Sequence, residues 1–116
     1  MNKRLVGSTQ EETAYRYLEE NGYNIVCRNF YTRFGEIDII AFNEGYLCFI
    51  EVKFRENIKN GYPQEAVNLK KQKKICNAEL WYMSKNKLAE DIPCRFDVVS
   101  IIKDEIQIIK NAFDFV

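Results

Sequence analysis

The chain has 116 residues, of which 47% are hydrophobic and 29% charged, and its net charge is zero. This composition is typical of one soluble globular domain covering residues 1–116. Its four cysteines form no Cys-x-x-Cys pair and it contains no histidine, so we expect reduced, packed thiols and no zinc site. No long apolar run or signal-peptide pattern is present, which favours a cytoplasmic protein that does not bind membranes.

The hydrophobic pattern predicts elements in the order α-β-β-β-α-β-β. A helix is expected over about residues 8–21, with Ser8 or Thr9 as its cap and Ala14, Tyr17 and Leu18 on one face. Strands follow at about 24–31, 36–42 and 46–54, and then a loop over 57–63. A second helix over about 64–85 buries Val67, Ile75, Ala78 and either Trp81 or Tyr82. A closing hairpin over 94–102 and 105–110 turns at Lys103-Asp104.

Two of the predicted strands carry charges where buried strands are normally apolar. They are the segments Gly35-Glu36-Ile37-Asp38-Ile39-Ile40 and Phe49-Ile50-Glu51-Val52-Lys53. Between them, Asn43-Glu44-Gly45-Tyr46 is typical of a tight turn, so the two strands are predicted to form an antiparallel hairpin.

The length of the hairpin loop decides where the charges lie. A loop of two or four residues places Asp38 directly opposite Glu51 and Glu36 opposite Lys53. A three-residue loop would shift the register by one and send Asp38 and Glu51 to opposite faces. We favour the even loops.

Opposed carboxylates on one sheet face lie about 5 Å apart and repel by roughly 3 kcal/mol at an effective dielectric constant near 20. Protonation of one carboxyl removes this repulsion, and a hard divalent cation such as Mg²⁺ or Mn²⁺ reverses it. Lys53 shares the face of Glu51 because side chains alternate along a strand. Its ammonium group can orient an attacking water or stabilise charge on a phosphate.

Strict alternation along the hairpin makes both of its faces apolar. One face carries Ile37, Ile39, Ile50 and Val52, and the other carries Ile40, Phe42, Leu47 and Phe49 together with the acids. Both faces then need cover, which predicts a central sheet with a helix on each side.

Asp38, a hairpin and Glu51-Val52-Lys53 match the Asp…Glu-x-Lys signature of the PD-(D/E)XK, or restriction-endonuclease-like, nuclease superfamily. Over nearly its whole length the chain resembles the YraN (UPF0102) family, small bacterial proteins similar to archaeal Holliday junction resolvases. The matching residues are Gly7, Glu11, Ala14, Tyr17-Leu18, Gly22-Tyr23, Arg28-Asn29, Gly35 to Asp38, Glu51 to Lys53, Arg55, Pro63, Glu65 to Val67, Lys71-Gln72 and Arg95 to Val99. The resemblance implies a restriction-endonuclease-like α/β fold with a central mixed β-sheet flanked by helices.

The resemblance also assigns roles to individual residues. Asp38, Glu51 and the backbone carbonyl of Val52 would hold Mg²⁺ or Mn²⁺, Lys53 would be the catalytic lysine, and Glu11 would be a helix carboxylate that reaches the same site. No organic cofactor is implied.

The opening helix departs from the family pattern at one position. Gln10 stands where the family usually has glycine, and Glu12 adds a second acid beside Glu11. We favour Glu11 as the inward-facing acid because it aligns with Ala14 and Leu18 on the helix.

Zero net charge, taken alone, argues against nucleic-acid binding, but the basic residues are concentrated. Residues 53–87 contain nine lysines and arginines against three acids, which gives this segment a charge of +6. A phosphate backbone would lie beside such a segment, and the candidate nucleic-acid contacts are Arg55, Lys70, Lys71 and Gln72. An ordinary solvated helix face explains the lysines equally well. Glu36 either supports the site or forms a simple cross-strand ion pair with Lys53.

Three functions are compatible with these residues. The first is a metal-dependent endonuclease that hydrolyses DNA phosphodiester bonds, on branched or repair-associated DNA, where symmetric cutting of a junction would favour a homodimer. The second is a nucleic-acid-binding module of the same fold that does not cut, although the intact Asp38, Glu51 and Lys53 argue against it. The third is an interaction protein whose acids form a structural ion-pair cluster.

Overall fold

The computed structural model describes residues 3–55, 67–89, 91–103 and 105–116. It contains seven elements in the predicted order: α1 (Lys3–Glu20), β1 (Asn24–Thr32), β2 (Gly35–Asn43), β3 (Tyr46–Arg55), α2 (Leu69–Lys85), β4 (Cys94–Ile102) and β5 (Glu105–Phe113). The loop predicted over residues 57–63 and the start predicted for the second helix, residues 64–66, lie outside the described residues. No helix in the described ranges is long and apolar enough to cross a membrane.

The five strands form one sheet in chain order. β3 and β4 are parallel, and the other neighbouring strands are antiparallel. The parallel pair needs a crossover connection, and α2 lies in that connection. The predicted fold class, an α/β fold with a mixed sheet flanked by helices, is confirmed.

Each face of the sheet has its own hydrophobic core. On one face, α1 packs Ala14, Tyr15 and Leu18 against Ile39, Ala41, Cys48, Ile50, Val99 and Ile101. On the other face, α2 packs Ile75, Cys76, Ala78 and Tyr82 against Ile37, Ile40, Leu47, Phe49, Phe96 and Val98. The choice between Trp81 and Tyr82 is thereby resolved, because Tyr82 is buried while Trp81 is 49% exposed.

α1 begins before its predicted start, and in the described part of its predicted range α2 is helical only from Leu69. α1 begins at Lys3, so Ser8 and Thr9, one of which was predicted to cap the helix, lie inside it. The propensity of a single residue therefore constrains a helix only weakly. α2 begins at Leu69 because Asn68 has an extended backbone and its side chain accepts a hydrogen bond from the N–H of Lys71 at 2.9 Å. Asn68 is thus a standard N-cap.

The hairpin between β2 and β3 has the predicted even register. Glu44 and Gly45 form a two-residue loop with φ angles of 54° and 83°, as a type I′ turn requires. The ladder pairs Asn43 with Tyr46 and continues to Ile39 with Ile50.

Side-chain alternation along β2 breaks next to Asp38. Ile37 packs with Ile40 in the core under α2, whereas Ile39 packs in the core under α1. The prediction that Ile37 and Ile39 share a face is therefore wrong. Asn29 of β1, which lies opposite Asp38 in the register, has a φ of 54°, and this left-handed conformation interrupts the pleat.

A buried ionic network fastens the hairpin end of the sheet. Arg95 Nε lies 2.9 Å from Oδ1 of Asp97, and Arg95 Nη2 donates to Asn43 Oδ1 at 2.6 Å. Asp97, which is fully buried, also accepts from the Tyr23 hydroxyl at 2.7 Å and from the Asn111 N–H at 2.9 Å. The network joins the α1–β1 turn, the β2–β3 hairpin, β4 and β5.

Asp97→Asn should destabilise the protein by about 3 kcal/mol, because it removes the buried countercharge of the Arg95 guanidinium and leaves only the exposed Glu44, 3.3 Å from Nη1, as its acidic partner. Urea denaturation monitored by circular dichroism measures this loss. The control is Asp91→Asn, an exposed acid in the α2–β4 connection, whose stability should change little. Equal effects of the two substitutions would contradict this role for the network.

Candidate metal centre

Asp38 lies where β2 and β3 stop pairing. Their ladder ends at Ile39 with Ile50. In a continued ladder the backbone N–H of Val52 would bond to β2, but it donates instead to Oδ2 of Asp38 at 2.8 Å. A side-chain acceptor thus replaces the backbone of β2.

Beyond this point β2 pairs with β1 and β3 pairs with β4, so the sheet opens between β2 and β3. We call this opening the strand fork and define it by Asp38 on β2 and by Glu51, Val52 and Lys53 on β3. The N–H and C=O of one strand residue point to the same side. Because the Val52 N–H faces the fork, we expect its carbonyl to face the fork as well.

The fork changes two predicted pairings. Asp38 and Glu51 are not ladder partners, because the ladder ends one residue earlier. The pair of Glu36 with Lys53 does not form in the described structure; Lys53 Nζ lies 3.7 Å from Oε1 of Glu51 instead. Asp38 and Glu51, which were predicted to face each other along a regular ladder, therefore lie on opposite sides of the opening between β2 and β3.

Glu51 is the most constrained carboxylate of the fork. It is 6% exposed, and its Oε1 lies 3.7 Å from Lys53 Nζ and 3.7 Å from Lys71 Nζ. Its Oε2 is buried and has no hydrogen-bond partner. Burial and the nearby charge of Asp38 raise the pKa of Glu51 to about 7. Buried carboxylate oxygens normally have a hydrogen-bond partner, so the unpartnered Oε2 of Glu51 is an exception.

The Asp38 carboxyl is also perturbed. Burial raises its pKa, although the hydrogen bond from Val52 and the charges of Lys71 and Lys53 act in the opposite direction. Two partly desolvated carboxyl groups thus share one small opening, which is the arrangement that a cation would stabilise.

Glu36 and Glu11 lie at the margin of the fork. Burial raises the pKa of the half-buried Glu36, and the charges of Asp38 and Glu11 raise it further. Glu11 is exposed on α1, and the neighbouring Glu12 forms an ion pair with Arg28 at 3.5 Å. Within the described residues, neither helix acid forms a hydrogen bond or ion pair with Asp38 or Glu51, so Glu11 acts on the fork through its charge on Glu36.

The four candidate nucleic-acid contacts lie in different environments. Lys70 is exposed, whereas Lys71 is half-buried and faces Glu51. Gln72 donates through its side-chain amide to the Val67 carbonyl at 2.9 Å and so holds the entry into α2. Arg55 ends β3, and its carbonyl accepts from the Lys103 N–H at 3.1 Å.

Lys71 is the residue whose position sequence reasoning missed. Its charge lowers the pKa of Glu36, Asp38 and Glu51 alike. One feature of the sequence could have indicated that Lys71 lies near the acids: it stands in the first turn of a helix that follows the strand carrying them. The sequence did not specify that α2 directs this lysine toward the fork.

The residues of the fork fit a hard divalent cation. Asp38, Glu51 and the Val52 carbonyl supply the oxygen donors that Mg²⁺ and Mn²⁺ prefer, and the buried Glu51 Oε2 has no protein partner that a cation would have to displace. Among the described residues, no three His, Cys, Asp or Glu side chains are grouped closely enough to hold a metal. A cation here would therefore complete its shell with water or substrate oxygens, as Mg²⁺ commonly does.

Comparisons with known proteins identify the family. The model of the "Uncharacterised protein family UPF0102" matches residues 10–101. The chain is 52% identical over 114 residues to a UPF0102 protein of Lachnoclostridium phytofermentans, covering 98% of this chain and 97% of the relative. It is 45% identical over 122 residues to a UPF0102 protein of Acetivibrio thermocellus, with 97% and 93% covered. The chain belongs to UPF0102, which confirms the family resemblance.

Glu51→Gln should become more stable than the wild type as the pH rises. The folded protein holds the Glu51 proton up to a pKa of about 7, while the unfolded chain releases it near 4.5. Below pH 4.5 Glu51 is protonated in both the folded and the unfolded state, so its ionisation does not lower the unfolding free energy of the wild type. By pH 8 the wild type has lost roughly 3 kcal/mol of unfolding free energy relative to the variant. Urea denaturation of both proteins in EDTA across this range measures the difference, and a difference independent of pH would contradict the assignment.

Proposed function

We propose that this UPF0102 protein is a Mg²⁺- or Mn²⁺-dependent nuclease that hydrolyses DNA phosphodiester bonds. The observation that carries the proposal is the buried Glu51 carboxylate, which has one oxygen without a partner and lies beside Asp38 at an opening in the sheet. Neither a structural core nor a simple ion pair requires such an oxygen. A cytoplasmic location, with access to chromosomal DNA, is part of the same proposal.

Asp38, Glu51 and the Val52 carbonyl would hold the cation. A bound divalent cation would supply Lewis acidity toward a phosphate oxygen and an attacking water. The hydrogen bond from the Val52 N–H orients the Asp38 carboxylate, and a side chain fixed in this way keeps its geometry during a reaction.

Two lysines supply positive charge at the fork. Lys53 and Lys71 both lie 3.7 Å from Glu51 Oε1. Either ammonium group can stabilise negative charge that develops on a phosphate. Lys53 is fixed to β3 beside its carboxylate, which supports its role as the catalytic lysine, while Lys71 approaches from α2.

The surface beside the fork supports a nucleic-acid substrate. Lys70, Lys73 and Lys74 are exposed in the first turns of α2, the same helix that directs Lys71 to Glu51. A phosphate backbone lying along this helix would reach the carboxylates. The family's similarity to Holliday junction resolvases favours branched DNA, for which paired cuts would need a homodimer.

One observation favours a second candidate, a nucleic-acid-binding module of the same fold that does not cut. Lys53 and Lys71 both form ion pairs with Glu51 without any metal, and their charges also lower the pKa of Asp38, so the lysines alone balance part of the negative charge. Metal binding and cleavage separate the two candidates.

Saturating Mn²⁺ or Mg²⁺ should stabilise the wild type, by about 2.7 kcal/mol when the free metal is 100-fold above its Kd. Asp38→Asn and Glu51→Gln should lose this stabilisation because each removes a ligand. Thermal unfolding in EDTA and in each metal measures it, with Asp91→Asn as the control that keeps the shift. If the metals shift all four proteins equally, the fork does not bind them.

Wild-type protein should cut labelled DNA in Mg²⁺ or Mn²⁺, and Asp38→Asn, purified identically, should be about 100-fold slower or worse. The test compares linear, flapped and four-way-junction DNA in each metal. Asp91→Asn, at an exposed acid in the α2–β4 connection, should keep its activity. Metal-independent binding without cutting would overturn the nuclease proposal in favour of the binding module.

A further inference from the structure

We propose a second site, independent of the strand fork, that binds a small organic cation with Glu79 as its anchoring carboxylate. It is a cavity of about 580 Å³ beside the C-terminal half of α2, which is within the usual range for ligand pockets. The cavity is lined by Glu79, Leu80, Met83, Ser84, Lys87, Leu88 and Cys94. Glu79 lies eight residues beyond Lys71 on α2, which places it about 12 Å farther along the helix.

Glu79 lies on the buried stripe of α2, between Ile75 and Tyr82. It is 7% exposed, and its Oε2 is buried with no hydrogen-bond partner. Burial raises its pKa. Because Glu79 lines the cavity, a turn of its carboxyl group would bring this oxygen to the cavity wall, where a ligand can supply the missing donor.

The thiol beside Glu79 does not favour a metal. Burial and the charge of Glu79 raise the pKa of Cys94 to about 11, so its sulfur remains a protonated thiol at neutral pH and a poor ligand for zinc or copper. The thiol lies within hydrogen-bonding reach of the Ile92 carbonyl, at 3.4 Å, and of the Glu79 carboxyl, whose Oε2 still has no partner. The acid is therefore the group available to bind a ligand.

The remaining walls select the shape and charge of the ligand. Leu80, Met83 and Leu88 offer apolar surface, while Ser84 and Lys87 are exposed. Apolar walls with one buried anion fit a flat or short hydrophobic body that carries one ammonium or amidinium group. Lys87 disfavours a second positive charge on the ligand.

Benzamidine is a suitable probe, and benzamide is its neutral analogue of nearly the same shape. Titration into ¹⁵N-labelled wild-type protein, followed by amide chemical shifts, should show benzamidine shifting signals of residues 79–88 and Cys94. Benzamide should bind at least about tenfold more weakly, because a charge-assisted hydrogen bond to Glu79 is lost. Equal binding of the two probes would overturn the proposal without any variant.

Glu79→Gln should weaken benzamidine binding by about tenfold or more while its unfolding temperature shows that it folds. Glu51→Gln is the matched control, since it makes the same substitution at the other described carboxylate with an unpartnered oxygen, and it should bind benzamidine as the wild type does. If Glu51→Gln abolishes the shifts and Glu79→Gln does not, the probe binds the strand fork and the second site does not exist.

Discussion

The hydrogen bond from the Val52 N–H to Asp38 is the contact on which the candidate centre depends. A sheet that divides between two strands normally leaves unpaired N–H and C=O groups. Here the Asp38 carboxylate accepts the bond that β2 would have accepted, so β3 keeps its donor satisfied while it separates from β2 and follows β4. The fork thus exists because a side chain substitutes for a backbone, and the same carboxylate is then held at the opening.

The two ends of the sheet handle buried charge differently. At the hairpin end, the charges of Arg95 and Asp97 are matched and every partner is close. At the fork, Glu51 keeps an unpartnered oxygen and a raised pKa. A network that is satisfied stabilises a fold, and one that is left incomplete is typical of a functional site. The hairpin end can therefore offset the cost of the fork.

Sequence patterns predicted the order of the elements, an even loop of two or four residues in the β2–β3 hairpin and the register that follows from it, because these depend on local chemistry and a period of two. They did not predict where the β2–β3 ladder ends. That point depends on the break in alternation opposite Asn29, whose left-handed backbone has no clear sequence signal beyond its being an asparagine. The buried Glu79 could have been found, since it stands at helical spacing between Ile75 and Tyr82.

The charges of the fork also bear on how metal and substrate would bind together. Asp38 and Glu51, when ionised, are balanced by Lys53 and Lys71, so the four groups carry no net charge. A divalent cation would bring this cluster to about +2, and a phosphodiester would then reduce that charge. Each ligand would bind more tightly in the presence of the other, because binding free energies are reciprocally coupled.

Lys71 has a particular place in this balance, since it reaches Glu51 from the helix whose exposed lysines would meet the phosphate backbone. A phosphate drawing Lys71 away from Glu51 Oε1 would make this oxygen, as well as the unpartnered Oε2, available to the cation, which would link substrate binding to assembly of the metal centre.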